Sequence, residues 1–175
     1  MGTGYHGGFG ATRGSAYKKT SSSNPTPTIT ISFRKEDIVE SLLGVTEAST
    51  LVAELIRDKK IGVNILGDEL FEATLDKNKI KDPKNVSGYQ DGSQIHIRRS
   101  SLKGYSVFVH EGTHAYDYLN SINNPDSANI INPASYQGEF RAFMNEHEFQ
   151  IKKGEHVEFK DEGEIRVHIR LNYEY

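Results

Sequence analysis

The sequence Tyr105-Ser106-Val107-Phe108-Val109-His110-Glu111-Gly112-Thr113-His114-Ala115-Tyr116-Asp117 governs how the rest of the chain is read. It opens a stretch of helical character from Tyr105 to Ile122, closed by Asn123-Asn124-Pro125, because proline disfavours helix in the residue before it. On a helix, residues four apart lie one above the other, so His110 and His114 can aim imidazole nitrogens at one ion about 2 Å away. Glu111 sits one step round the same face, where it can take a proton from water that the ion has made more acidic. Imidazole with carboxylate suits zinc, and such a helix supplies an open tetrahedral site. The chain has no cysteine, so thiolate zinc sites and disulfides are excluded and any metal must use His and carboxylates.

Three protein ligands are expected, and no His follows at the spacing that would place a third just beyond His114. The next helix is read from Asn132-Pro133, a cap and a first-turn proline, and carries an apolar stripe of Phe140, Phe143, Met144, His147 and Ile151 before Gly154. Glu139 lies on the flank of that stripe, from which a side chain can reach a neighbouring helix. Glu146 lies on the same flank, seven residues on, and His147 nearer the middle. Glu139, His147 and Glu146 are therefore the candidates for the third ligand.

His110-Glu111-Gly112-Thr113-His114-Ala115-Tyr116-Asp117, followed by Gly138-Glu139-Phe140-Arg141-Ala142-Phe143, resembles the zincin metallopeptidases whose third zinc ligand is a Glu on a second helix. More narrowly, it is similar to the metallopeptidase domains at the C-termini of bacterial polymorphic toxins and effectors. The resemblance spans roughly residues 61–150 and favours Glu139 as the ligand. It implies a strand at Gln94 to Arg98 lying along the cleft and pairing with substrate backbone. It also implies a secreted protein, or a module delivered into a target cell within a larger polypeptide, with a cognate immunity protein as a partner. One departure stands out: the thermolysin-like pattern has an Asp four residues after the ligand Glu, where this chain has Phe143. Asp117, three residues after His114, is instead placed to accept a hydrogen bond from a ligand imidazole.

The remaining composition fits one domain. In 175 residues, hydrophobic residues make up 35% and charged residues 26%, the net charge is -3, and Lys with Arg number 21 against 24 Asp and Glu. That balance gives no field favouring nucleic acid, and no apolar run approaches the roughly 18 residues of a membrane span. Residues 1–28 are rich in Gly, Ser and Pro and read as a linker or tether, with residues 29–175 forming the domain. The beginning of the sequence lacks the apolar centre of a secretory signal. Ile29 to Phe33 reads as a strand and Lys35 to Asp58 as two helices split near Gly44, the second capped by Ser49 or Thr50. Ile61 to Leu66 reads as a strand with Gly67-Asp68 as its turn, and Asp76 to Asp91 as a polar, turn-rich stretch. Gln94 to Arg98 alternates as a half-exposed strand. His156 to Lys160 and Glu164 to Tyr173 alternate about Asp161-Glu162-Gly163 as a C-terminal hairpin.

The expectation is an α+β, zincin-like domain in which the motif helix packs on a small mixed β-sheet. Attack on an amide carbonyl also develops an oxyanion, for which Tyr136, His168, His156 and Tyr173 are stabilisers by type. The expected activity is zinc-dependent hydrolysis of peptide bonds in a protein or peptide. The same site acting on cell-wall peptides is the enzymatic alternative. A degenerate binding module is the non-enzymatic one, against which an intact Glu111 argues.

Overall fold

A computed structural model describes residues 33–75, 84 and 86–173. The expected linker at residues 1–28 and most of the expected strand at 29–33 lie outside the described residues. Among those described, six α-helices surround a three-stranded mixed sheet, an α+β arrangement. No helix among them is long and apolar enough to cross a membrane.

Helix α1, Lys35–Leu42, buries Ile38 and Leu42 at i and i+4. It ends at Gly44, whose φ of +76° makes the turn into the next helix and favours glycine. Helix α2, Glu47–Arg57, starts one turn earlier than expected. Thr46 is its cap, accepting from the Ser49 amide at 2.9 Å while Ser49 Oγ accepts from the Thr46 amide at 2.9 Å. Ser49 thus serves as the third-residue half of a capping box and Thr50 is not the cap. The face of α2 made by Ser49, Val52, Ala53 and Ile56 is buried.

Strand β1, Gly62–Leu66, pairs parallel with β3, Gln94–Arg98, and β2, Gly88–Asp91, pairs antiparallel with β3, giving the order β1-β3-β2. Ile95 and Ile97 alternate into the core from β3. Two departures from expectation lie here. Gly67-Asp68 begins helix α3, Asp68–Thr74, instead of closing a turn, and Gly88–Asp91 is a strand. Its Tyr89 and Gln90 are buried, Tyr89 stacking on His96 of β3 at 4.6 Å, so partners across the ladder hold a segment whose composition is polar.

Helix α4, Ser106–Asn123, runs through the middle of the molecule, and Phe108 to Ala115 are all buried. Gly112 allows the closest approach, since a Cβ there would collide with the Val52 side chain of α2. No side chain within α4's own first turn caps it. The Glu155 carboxylate, from beyond the next helix, accepts the backbone N–H groups of Tyr105 at 2.8 Å and Ser106 at 3.1 Å.

Helix α5, Tyr136–Lys153, is capped by Ser135, which accepts from the Gly138 amide at 3.1 Å. Asn132 and Pro133 stand before the helix, Asn132 Oδ1 accepting from the Ala134 amide. The buried positions of α5 include Glu139, Ala142, Phe143, Phe149 and Gln150, whereas Ile151, expected on the apolar stripe, is 58% exposed.

The C-terminal hairpin is not formed. Glu162–Asn172 is helix α6, capped by Asp161, whose Oδ1 accepts from the Glu164 amide at 3.1 Å. Ile165 and Ile169 are buried against Phe143, while Val167 is 55% and Leu171 78% exposed. A strand pairing would have given all four one face; the helix uses only the pair spaced by four.

Candidate metal centre

The site lies where α4 meets α5. His110 and His114 stack along α4, and Glu139 enters from the first turn of α5, so the three side chains converge from two helices. One ligand atom from each lies within 4.8 Å of the other two. Glu139 Oε2 is 3.5 Å from His114 Nε2 and 3.7 Å from His110 Nε2. Two ligands each about 2.0–2.1 Å from a tetrahedral ion stand about 3.3–3.4 Å apart, so these separations fit a single cation between them. All three residues are buried. His147 and Glu146, the rival third ligands, do not join this group.

Electrostatics follow the same geometry. Burial disfavours the charge on Glu139, but His114 and His110 overcome it and hold the carboxyl well below the usual range. Burial likewise opposes a charged His110, and Glu139 and Glu146 reverse it, raising the ring well above its ordinary value. Three acceptor-rich side chains drawn together in this way favour a positive charge at their centre.

Glu111 lines a cleft of about 380 Å³, together with Gly88, Ser106, His110, Glu146 and His156. Burial pushes its carboxyl up to about 8, with His110 opposing and Glu139 and Glu146 reinforcing the shift. Its Oε2 is buried and has no hydrogen-bond partner among the described residues. Its Oε1 passes so close to β2 that a Cβ at Gly88 would stand 2.9 Å from it. Strand β3, which the resemblance expects to pair with substrate backbone along the cleft, is instead the middle strand, paired on both sides. The outer strand β2 borders the cleft.

The remaining candidates separate. Asp117 is paired with Arg141 of α5, Oδ1 to Nη2 at 2.9 Å, and burial pushes it to about 6 against the opposing pull of that arginine. The hydrogen-bond partner of His110 is Glu146, with Nδ1 and Oε2 3.1 Å apart. Phe143, at the position where the thermolysin-like pattern has Asp, packs its ring edge-on to His110 at 4.5 Å. Tyr136 lies at the start of α5, its ring stacked on Phe140. His168 sits on α6 with its ring 5.2 Å from Phe143 and 5.0 Å from Phe159, and burial lowers its basicity. Tyr173 joins the same aromatic cluster. Of the four oxyanion candidates, His156 is the one that lines the cleft.

Sequence reasoning favoured Glu139 and kept Glu146 as a rival ligand on the same flank; in the structure Glu146 instead meets His110 Nδ1. The signal that separates the roles is the spacing 139, 143, 146, 150, one continuous face of α5, with Ser106 four residues before His110 on the facing helix.

No known family, curated protein or solved structure matches this chain. The chemistry of the site therefore stands on its own atoms.

Proposed function

We propose that the chain is a zinc-dependent metallopeptidase acting on peptide bonds of a protein substrate. The observation that carries this reading is the convergence of His110, His114 and Glu139 beside a buried Glu111 on a cleft wall. Two imidazoles and a carboxylate suit zinc and leave one tetrahedral position open, as hydrolytic sites do and structural sites do not. When bound, zinc supplies a Lewis acid that polarises a carbonyl and acidifies water.

The chain's own residues supply the rest. His110, His114 and Glu139 would hold the ion, and Glu139 leaves the site one unit less positive than a third histidine would. Burial holds the Glu111 carboxyl at about 8, a bound cation would lower it, and Glu111 would then accept a water proton near neutral pH and return it to the leaving amine. His156, which lines the same cleft, is the candidate donor to the oxyanion in this reading. In this reading the substrate belongs to a target cell that receives the domain within a larger polypeptide, and an immunity protein shields the producer.

The experiment loads the chain with one equivalent of zinc, incubates it with a proteome digest library and maps new termini by mass spectrometry. The parent should generate new termini. Glu111→Gln should bind the same amount of zinc and lose activity by about 10²- to 10⁴-fold. A zinc-loaded parent that cuts nothing, or a Glu111→Gln chain that cuts equally well, removes the reading.

A further inference from the structure

Resting on that reading of the site, we propose that Glu146 is the positioning residue for His110. It holds the ring with a proton on Nδ1, so that Nε2 faces Glu139 and His114 as a ligand atom. The assignment comes from following each polar atom to its partner.

The Gln150 side chain fixes the direction of the network. Its Oε1 accepts the backbone N–H of Glu158 at 3.3 Å, and only the carbonyl end of an amide can do this. Its Nε2 therefore faces the other way, donating to Ser106 Oγ at 3.2 Å and to Glu146 Oε1 at 3.3 Å. Ser106 Oγ, having accepted from Gln150, donates its own hydrogen to Glu146 Oε1 at 3.0 Å. Two donors thus satisfy Oε1, and Oε2 presents an acceptor to His110 Nδ1 at 3.1 Å. The ring must donate there. Its Nε2 then stands 3.7 Å from Glu139 Oε2, and Phe143, edge-on at 4.5 Å, packs against the ring.

A ring that donates from one nitrogen to a carboxylate is oriented for a metal at the other, and losing such a partner typically costs 10- to 100-fold in affinity. Glu146 differs from Glu139 in the direction from which it meets His110, at Nδ1 and not at Nε2. The same bonds run outward through Gln150 to Glu158, whose backbone belongs to the α5–α6 connection that lines the cleft. The orientation of a ligand and the placement of the cleft rim are therefore linked by one set of hydrogen bonds.

The test has two readouts on the full chain. In metal-free protein with ¹⁵N-labelled histidine, His110 should carry a proton on Nδ1 whose solvent exchange is slow, and Glu146→Ala should lose that protection. In cobalt(II) titrations, Glu146→Ala should bind about 10- to 100-fold more weakly with an altered visible spectrum, and Glu146→Gln, which keeps an acceptor oxygen, should recover part of the loss. A parent without a proton on Nδ1 overturns the proposal. So does a Glu146→Ala chain with unchanged exchange, or with unchanged cobalt affinity and spectrum. The parent spectrum decides the ring state alone, so a Glu146→Ala chain that fails to fold does not protect the proposal. A parent that takes up no metal yet shows the protected proton, lost in Glu146→Ala, removes the metallopeptidase reading and leaves the Glu146 contact standing.

Discussion

Helices α2 and α5 both press on α4, and they do so with opposite materials. Helix α2 offers Val52, Ala53 and Ile56, an apolar face that joins the main core with Ile95, Ile97 and Phe108. Helix α5 offers Glu139, Phe143 and Gln150, which are buried, and Glu146, whose side chain is 15% exposed. Burying apolar area stabilises by about 25 cal/mol per Å², whereas burying a carboxylate costs several kcal/mol unless charge and hydrogen bonds compensate it. The comparison teaches that α2 meets α4 mainly with apolar surface, whereas α5 adds the buried carboxylate of the candidate metal site, Glu139, to its own contribution to the main core, Phe149. The α5 side sets the carboxylates of Glu139 and Glu146 against His110 and His114, and His110, His114 and Glu139 form a group that could hold a cation.

The largest expected effect is on the α5 side. Glu139→Ala should weaken zinc binding by well over 100-fold, beyond the 10- to 100-fold of an outer partner. Calorimetric titration checks it, and an unchanged affinity would erase the division of labour. On the α2 side, Ile56→Ala should cost about 2–5 kcal/mol of unfolding free energy in urea and leave zinc stoichiometry intact. Loss of zinc with full stability would reverse the two roles.

Asp117 ties α4 to α5 and sharpens the comparison through pH. Its folded-state value is raised to about 6 from 3.8, so the folded chain binds the proton more tightly than the unfolded chain does. This group favours folding below about pH 4 and loses that contribution as pH rises through 6. Between pH 4 and 7 the parent should therefore lose roughly 2 kcal/mol relative to Asp117→Asn. A pH-independent difference between the two chains contradicts it. The smallest effect belongs to the α2–α4 contact. Gly112→Ala should cost about 1–3 kcal/mol through collision with Val52, and adding Val52→Ala should return part of that loss.

The motif helix was legible because its signal is local: His110 and His114 need only helical spacing to share a face. The flank of the next helix narrowed the third position to Glu139 and its rivals Glu146 and His147, and the resemblance singled out Glu139. The contact of Glu146 with His110 was not legible, because only Phe143 of the stripe Phe140, Phe143, Met144, His147 and Ile151 lies on the face, 139, 143, 146 and 150, that meets α4. Where a helix buries polar groups to build a site, hydrophobicity marks the wrong centre. Helix α6 was misread because Ile165 and Ile169 satisfy both a period of two and a spacing of four. The arbiter was Asp161, a cap residue, followed by Glu162 and Glu164 in the first turn and Arg170 in the last. Thr46, the cap of α2, was passed over for Ser49 or Thr50 because all three are capping types, and only the position of the first turn separates them. Strand β2 was hidden because its polar residues are held by pairing with β3, a contact that no local pattern announces.

The carboxylate of Glu155 accepts the amides that open α4, although some fifty residues separate the partners. The beginning of the motif helix is thus written in a distant part of the chain. A peptide cut to the motif helix alone would fray at the turn that carries Ser106, and the ligand set could not be grafted onto another scaffold as a pair of helices. The graft would have to include the residues that follow α5, because they finish the helix that the histidines stand on.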